Sequence, residues 1–563
     1  MIITSASVRR AAVLVVSLLT ACASSHAADP RESGTVYGDF LAGSFAAGRD
    51  DFATAASALL QAVAEDPQSD EVVQQAFLAA LLDGRPEAVA LAARLPGHVA
   101  AQMVLADDAA RKGEWDRAIS RYDALPHEGV ALTLQPLLVA WAEQGAGHTD
   151  AAMATLRPYM QGKQLRAVYA LHAALIADLA GREAEAQQLY EAAAAEYGPA
   201  NLRLAQILAS WEARHGRVDR ARQMLQGLAD TGDPVGTVVP ALLAHPETRP
   251  VASPADGIAE AYLALAATMT QQGDRNFGLV LGRLALDMRP DLTAVRLLVA
   301  DSLAGAHQPA FGLRLLAKVP ADDPLAALVD LRRAALQNQA GQTDAAIALL
   351  DRLIAADPAR PEAANELGDI LREQGKFTEA VAAYDIAVSR IPRPRPGDWP
   401  LFFARGITQD RLHHWDAAQA DLERALQLSP NEPFVLNYLA YSWAEQGRNL
   451  PEARRMLEQA MRQRPDDGAI IDSLGWVLLR GGDAREALRL LERAAELQPE
   501  DPTINGHLGD AYWADGAKLQ AAYQWRLALS LKPDAEEVPR LQAKLKEAEL
   551  ALGAAVPATS TGH

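Results

Sequence analysis

Residues 470–499, IIDSLGWVLLRGGDAREALRLLERAAELQP, share their small residues and their proline with residues 504–533, INGHLGDAYWADGAKLQAAYQWRLALSLKP. An offset of 34 positions pairs Gly475 with Gly509, Ala487 with Ala521, Ala494 with Ala528, and Pro499 with Pro533. Proline ends helices, so one proline per unit marks where a helix stops and the chain turns back. Each unit is therefore predicted to be a pair of helices.

The same period extends far upstream. Prolines follow one another at intervals of 34, 35 or 38 residues, and small residues recur between them at fixed positions. Small side chains allow helix axes to approach closely, so these positions predict helix contacts. They are Gly368 and Gly406 in first helices, Ala380 and Ala418 at the start of second helices, and Ala387 and Ala425 further along. The 38-residue interval contains Pro392-Arg393-Pro394-Arg395-Pro396, which is interpreted as either a contact loop or a longer connection.

This order of Leu-Gly, Ala, an aromatic residue or Leu, Ala and Pro resembles the tetratricopeptide repeat, whose length is about 34 residues. The resemblance implies an all-α fold, a right-handed superhelical solenoid of antiparallel helix pairs that ends in a capping helix. The register predicts an array of about eight repeats over 258–533. An apolar stripe that includes Leu541, Leu545 and Leu552 predicts the capping helix over 534–552, and residues 553–563 are expected to be disordered.

The pattern is weaker in the N-terminal half. Residues 34–230 are predicted to be a degenerate helical segment of the same type, since units such as 36–69 keep only part of the pattern. Closely spaced prolines, including Pro234, Pro240 and Pro246, predict a linker or bent junction over 231–257.

Composition excludes several classes of function. The net charge of −19 disfavours a nucleic-acid partner, because a protein that follows phosphates needs an excess of Lys and Arg. The single cysteine rules out an intramolecular disulfide and a cysteine-based zinc site. The adjacent histidines His413 and His414 lack a cluster of further ligands. Neither a zinc-protease HExxH, a hydrolase GxSxG nor a phosphate-binding GxxxxGK[ST] motif occurs, so we expect no enzyme activity, cofactor or metal.

The first residues predict export. Arg9 and Arg10 precede an apolar run that ends at Cys22, and the order Leu-Thr-Ala-Cys resembles the lipobox of bacterial lipoproteins. Residues 1–21 are thus predicted to be a signal peptide, Cys22 the lipidated residue, and 22–33 a flexible tether. The absence of Asp after Cys22 resembles outer-membrane sorting, with the protein facing the periplasm. The alternative is cleavage near 25–27, which would leave a soluble periplasmic protein.

A tetratricopeptide array exposes the first helix of each pair on its concave face. Aromatic and polar side chains there, at helical spacing, favour an extended or helical peptide as the ligand. The alternative is that each side chain packs against a neighbouring helix. The predicted groove residues are Phe403, Ile407, Asn437, Tyr441, Asp472, Trp476, Arg480, Asp510 and Trp513.

The segments LNYLAYSWAEQGRNLPEA (436–453), IIDSLGWVLLRGGDAREAL (470–488) and INGHLGDAYW (504–513) resemble a family of proteobacterial tetratricopeptide lipoproteins. The resemblance implies a non-enzymatic adaptor of the cell envelope, with a C-terminal processing protease or a peptidoglycan hydrolase among its partners. One alternative is an assembly component of an outer-membrane export machine for polysaccharide or protein. Another is a peptidoglycan-acting enzyme with a superhelical domain.

Overall fold

The computed structural model describes residues 36–162, 165–196, 201–229, 234–305 and 308–554. Within these ranges the chain forms thirty α-helices and three short 3-10 helices, and no β-strand occurs there. The all-α prediction is confirmed. The predicted signal peptide, Cys22, the predicted tether and residues 555–563 lie outside the described residues.

The chain divides between Pro96 and Gly97 into two compact units. Unit 1 contains α1 Val36–Ala47, α2 Phe52–Glu65, α3 Asp70–Asp83 and α4 Glu87–Ala92. Capping side chains fix two of these helices, since Asp51 accepts a hydrogen bond from the Thr54 amide and Ser69 one from the Val72 amide.

Unit 2 begins with irregular helix pairs and continues as a regular array. Its first helices are α5 Val99–Arg111, α6 Trp115–Asp123, α7 Gly129–Gly145, α8 Thr149–Leu156, α9 Arg166–Leu179, α10 Glu183–Ala194, α11 Leu202–Arg214, α12 Val218–Ala229 and α13 Val239–Ala244.

Eight helix pairs follow, each packed against the next. They are α14 Pro254–Gln271 with α15 Arg275–Met288, α16 Thr293–Ala304 with α17 Pro309–Leu316, α18 Ala326–Gln339 with α19 Thr343–Ala356, α20 Glu362–Glu373 with α21 Phe377–Ser389, α22 Trp399–Arg411 with α23 Trp415–Leu428, α24 Pro433–Glu445 with α25 Leu450–Gln463, α26 Gly468–Arg480 with α27 Ala484–Leu497, and α28 Pro502–Ala514 with α29 Lys518–Ser530.

The recurring small residues lie where the two helices of a pair cross. A Cβ added to Gly475 would lie 2.7 Å from the Leu491 side chain, and one added to Gly509 would lie 2.5 Å from the Trp525 ring. Ala487 in α27 and its equivalents in the other second helices are fully buried. The spacing that defines the repeat is therefore a packing requirement between helices.

The segment predicted to be a linker is built into the core of unit 2. Residues Pro234–Val238 form a 3-10 helix, and buried Val238 packs with Leu297 and Leu336 of the array. Further along, Gly257 in α14 lies so close to α7 that an added Cβ would lie 2.2 Å from the Trp141 ring. The prolines in this segment lie at or near the ends of helices, and long-range packing fixes the segment in place.

The array ends with α30 Val538–Ala554, which packs on α29 through Leu541 and Ala548. Its apolar stripe is the one that predicted a capping helix. The helix continues through Gly553 and Ala554, two residues that the sequence had placed in the disordered tail.

Candidate functional site

A cavity of about 470 Å³ lies among the first helices of the last pairs and α30, and we call it the C-terminal groove. Four side chains that line it hold equivalent positions in successive first helices, 34 or 35 residues apart: Ile407 in α22, Tyr441 in α24, Trp476 in α26 and Asp510 in α28. The repeat period itself therefore places them side by side.

An aromatic cluster forms the floor of the groove. The His507 ring stacks on Trp476 with the ring centroids 4.1 Å apart and the planes 14° from parallel, and its Nδ1 lies 2.9 Å from Asp472 Oδ2. The Trp476 indole N–H donates to Glu445 Oε1 at 2.6 Å, and the Tyr441 ring centroid lies 6.0 Å from that of His507. Because each ring has a polar partner or a ring neighbour, the floor is already ordered before a ligand arrives.

Burial and neighbouring carboxylates shift the pKa values of His507 and Tyr441 in the floor. Burial opposes a charge on His507, but the carboxylates of Asp472, Asp510 and Glu445 outweigh it and raise the pKa of the imidazole. Burial, together with Glu445 and Asp472, raises the pKa of Tyr441, so its phenol stays neutral at physiological pH. The floor therefore offers a neutral phenol and an imidazole that holds its proton beyond its usual pH range.

The rim of the groove is acidic. Six carboxylates line it against three Lys or Arg side chains. Lys544 Nζ is bound to Asp510 Oδ2 at 2.6 Å and Arg540 Nη1 to Glu537 Oε1 at 2.8 Å. Asp534 and Glu536 are exposed, and the Asp534 carboxylate lies 3.9 Å from Arg411 Nη1. An acidic rim over an aromatic floor is complementary to a segment that carries Lys or Arg beside apolar side chains.

The other five predicted groove residues do not line this cavity. Asp472 is buried beneath it as the partner of His507, and the Trp513 ring lies 5.7 Å from that of Trp525. Phe403 packs at 6.0 Å on the Tyr438 ring, and the Arg480 guanidinium lies over Trp476. Asn437 is half-buried, and its Oδ1 has no hydrogen-bond partner among the described residues. For Asp472, Trp513 and Phe403 the alternative of packing within the fold describes the structure better than exposure in a groove. Arg480 is exposed outside the cavity.

Several lining residues were not predicted. His507 lies 35 residues after Asp472 on the same helical face, so the repeat register could have identified it. Arg540 and Lys544 belong to α30, which lies outside the repeat period and gave no such signal.

The adjacent histidines His413 and His414 lie in the turn between α22 and α23. His413 holds a left-handed backbone conformation (φ +61°), the conformation of Gly447 and Gly482 in later turns between paired helices. Across the described part of the chain, no group of three or more His, Cys, Asp or Glu residues could hold a metal ion.

Comparison with known proteins finds relatives that contain tetratricopeptide repeats. Residues 314–545 match the family model of the cilia and flagella-associated protein 70 C-terminal domain, a tetratricopeptide-repeat model. The chain has a tetratricopeptide-repeat fold. It is 28% identical over 163 residues to the TPR repeat-containing protein PA4667 of Pseudomonas aeruginosa, a match that covers 29% of this chain and 27% of that protein. It is 29% identical over 126 residues to human tetratricopeptide repeat protein 13, covering 22% of this chain and 14% of the human protein.

The matches thus span about a quarter or less of the length of these curated relatives. Among solved structures, a chain of the APC/C hetero-tetramer Cut9-Hcn1 is similar over 90% of this chain and 95% of its own, with a TM-score of 0.39 and 14% identity.

In the described residues of this tetratricopeptide-repeat chain, no helix is both long enough and apolar enough to cross a bilayer.

Proposed function

We propose that this protein is a non-enzymatic scaffold of the bacterial cell envelope that holds partner proteins by binding their segments in the C-terminal groove. The observation that carries the proposal is the convergence of Ile407, Tyr441, Trp476 and Asp510 on one cavity. Four successive repeats each supply one side chain to it, so a ligand that crosses the repeats would contact all four.

The chemistry of the groove defines the class of ligand. Apolar side chains of a bound segment would bury surface on the half-buried Ile407 and Tyr441, which stabilises a complex by about 25 cal/mol per Å² of apolar area removed from water. Trp476 is itself buried and supports the floor from below. Lys or Arg side chains of the segment would meet the carboxylates of Asp534 and Glu536. The ligand is thus a protein segment with basic and apolar residues.

Attachment to the outer membrane is the second part of the proposal. Its support is the order of charged, apolar and small residues that ends at Cys22, which would receive the lipid. A tethered scaffold raises the effective concentration of two partners without new chemistry, as an adaptor for a C-terminal processing protease or a peptidoglycan hydrolase requires. Release of the Cys22→Ser variant from membranes would support this part, and unchanged attachment would contradict it.

Charge reversal at the rim tests the groove. The probe is a fluorescein-labelled pool of twelve-residue peptides composed of Lys, Arg, Leu, Pro and Gly, which we call the basic pool. We expect the double variant Asp534→Lys/Glu536→Lys to bind the basic pool at least about tenfold more weakly in fluorescence anisotropy, because attraction at the rim becomes repulsion. Raising the salt concentration should reduce the difference between variant and wild type.

The matched control is Glu496→Lys/Asp515→Lys, which makes the same change in charge at two exposed residues that do not line the groove. Its affinity for the basic pool should stay within about twofold of the wild-type value, since isolated surface charges contribute little. Equal losses in the two double variants would show that overall charge, and not the groove, attracts the peptides.

A further inference from the structure

A second cavity, of about 590 Å³, lies earlier in the array and has the opposite charge balance. Residues of α18 and α20, the turn after α21 and residues 234–236 line it. Its described lining contains five arginines, Arg332, Arg360, Arg390, Arg393 and Arg395, against three carboxylates. We call it the arginine pocket. Two of the five arginines are paired with carboxylates, Arg332 with Asp301 at 2.8 Å and Arg395 with Asp398 at 3.7 Å.

Two of these guanidinium groups are held in place by backbone carbonyls. Arg390 donates to the carbonyl oxygens of Arg360 at 2.8 Å and Ile354 at 3.1 Å, and it forms no ion pair within the described residues. Arg360 donates to the Gly236 carbonyl at 3.0 Å and lies 3.8 Å from the Asp357 carboxylate and 4.0 Å from that of Glu362. Carbonyl oxygens orient the Arg390 guanidinium but leave its net charge uncompensated.

Arg393 projects from the proline run that the sequence singled out. It is exposed and makes no hydrogen bond or ion pair with any described residue. The flanking prolines Pro392 and Pro394 restrict the backbone, so this side chain is presented at the pocket mouth from a stiff segment. Of the two interpretations of the insertion, the contact loop fits its position at a cavity.

The arginine pocket also contains buried hydrogen-bond acceptors and apolar side chains, which a simple anion would leave without partners. Asn365 Oδ1 and Glu362 Oε2 are buried acceptors with no hydrogen-bond partner among the described residues. An unpaired buried acceptor costs about 1–3 kcal/mol, so a ligand with N–H donors would relieve that cost. Leu331, Ile391 and Leu401 add apolar surface. A peptide supplies backbone N–H groups, apolar side chains and carboxylates together, whereas an inorganic phosphate supplies none of the first two.

Glu366, one of the three carboxyls that line the arginine pocket, carries less negative charge than an ordinary carboxylate. Burial first, and then the neighbouring carboxylates Asp369 and Glu373, raise its pKa to about 7, against the attraction of Arg332. A group with that pKa is neutral in about half of the molecules at neutral pH, which reduces the negative charge of the pocket lining.

We propose that the arginine pocket binds an acidic segment of a partner protein, whose carboxylates contact Arg390 and Arg393 and whose backbone N–H groups meet Asn365. This site is separate from the C-terminal groove and does not depend on it. The two sites prefer opposite charges, so one scaffold can hold two different segments at once.

The test uses an acidic pool, a fluorescein-labelled mixture of twelve-residue peptides composed of Asp, Glu, Leu, Pro and Gly, with the full-length protein. We expect Arg393→Glu to weaken binding of the acidic pool by about tenfold, because a charge-assisted contact becomes a repulsion. Arg393 is exposed and makes no hydrogen bond or ion pair with the described residues, so the variant should fold normally. Arg390→Gln should weaken binding as well, and Arg462→Glu, at an exposed arginine away from both cavities, should not.

The outcomes separate this proposal from the one for the groove. Arg393→Glu should leave binding of the basic pool unchanged, and Asp534→Lys/Glu536→Lys should not weaken binding of the acidic pool. Equal affinity of Arg393→Glu and Arg462→Glu for the acidic pool would overturn the proposal. It would also be overturned if wild-type protein bound phosphatidylglycerol vesicles through Arg393 and ignored the peptides, since the ligand would then be a membrane surface.

Discussion

Gly509→Val is expected to lower the free energy of unfolding of the last helix pair by about 1–3 kcal/mol, the range for overpacking a core. A Cβ at this position would lie 2.5 Å from Trp525 Cδ1. The Trp525 ring has little freedom to move, because it is buried and its N–H donates to Asp510 Oδ1 at 2.9 Å and to the Gly506 carbonyl at 3.2 Å. The added side chain must therefore separate α28 from α29.

The matched control is Gly227→Ala, since Gly227 also lies inside a helix but has no atom within 4 Å of an added Cβ. Alanine there should leave stability unchanged or raise it by up to about 1 kcal/mol. Hydrogen exchange of amides in α28 and α29 is the appropriate measurement, because stability in a repeat array varies along the chain. Equal protection in wild type and Gly509→Val would contradict the close approach of the two helices.

Asp107→Asn is expected to change how stability depends on pH. Asp107 is buried in α5 and accepts hydrogen bonds from the hydroxyls of Tyr122 in α6 and, at 2.9 Å, Tyr262 in α14. Burial raises the pKa of its carboxyl to about 7, although both tyrosines and Arg111 act against the shift. The folded protein thus binds a proton that the unfolded chain has already released above its ordinary pKa of 3.8.

The sign follows from this difference. Between about pH 4 and pH 7 the folded state binds more protons than the unfolded state, so the free energy of unfolding contributed by Asp107 falls as pH rises. Above pH 7 both states are ionised and the dependence levels off. Because one pKa unit is worth about 1.4 kcal/mol, the loss across this window reaches a few kcal/mol. Asp107→Asn should remove it and be more stable relative to wild type at pH 8 than at pH 5.

Denaturant unfolding at pH 5 and pH 8 measures the effect. Asp107→Ala serves as the comparison, because it leaves the two tyrosine hydroxyls buried without their acceptor and should destabilise the protein at both pH values. The contribution of Asp107 is the difference in the free energy of unfolding between wild type and Asp107→Asn. A contribution that rises from pH 5 to pH 7 would contradict the account of this carboxyl.

The repeat was predictable from sequence because each unit contains the same close contact between its two helices. Gly475 and Gly509 recur at the period at which helices cross, and four of the nine side chains that this period places on the concave face, Ile407 and Tyr441 among them, line one cavity. Register arguments succeed wherever a residue's environment is set by its own repeat and the neighbouring ones.

The register could not predict contacts made by elements outside the period. Helix α30 closes the groove with Arg540 and Lys544, and no repeat aligns with it. Likewise, the contact of Gly257 with Trp141 joins residues more than a hundred positions apart, which local composition cannot reveal.

Site-specific photo-crosslinking tests the central claim, that the C-terminal groove is where peptides bind. A benzophenone amino acid would replace Ile407 in the groove or, as the control, Leu519, which is 68% exposed in α29 and does not line the groove. Illumination with the basic pool should crosslink peptides at position 407 and not at position 519. Crosslinking at 519 with none at 407 would place the bound peptides outside the groove and contradict the account.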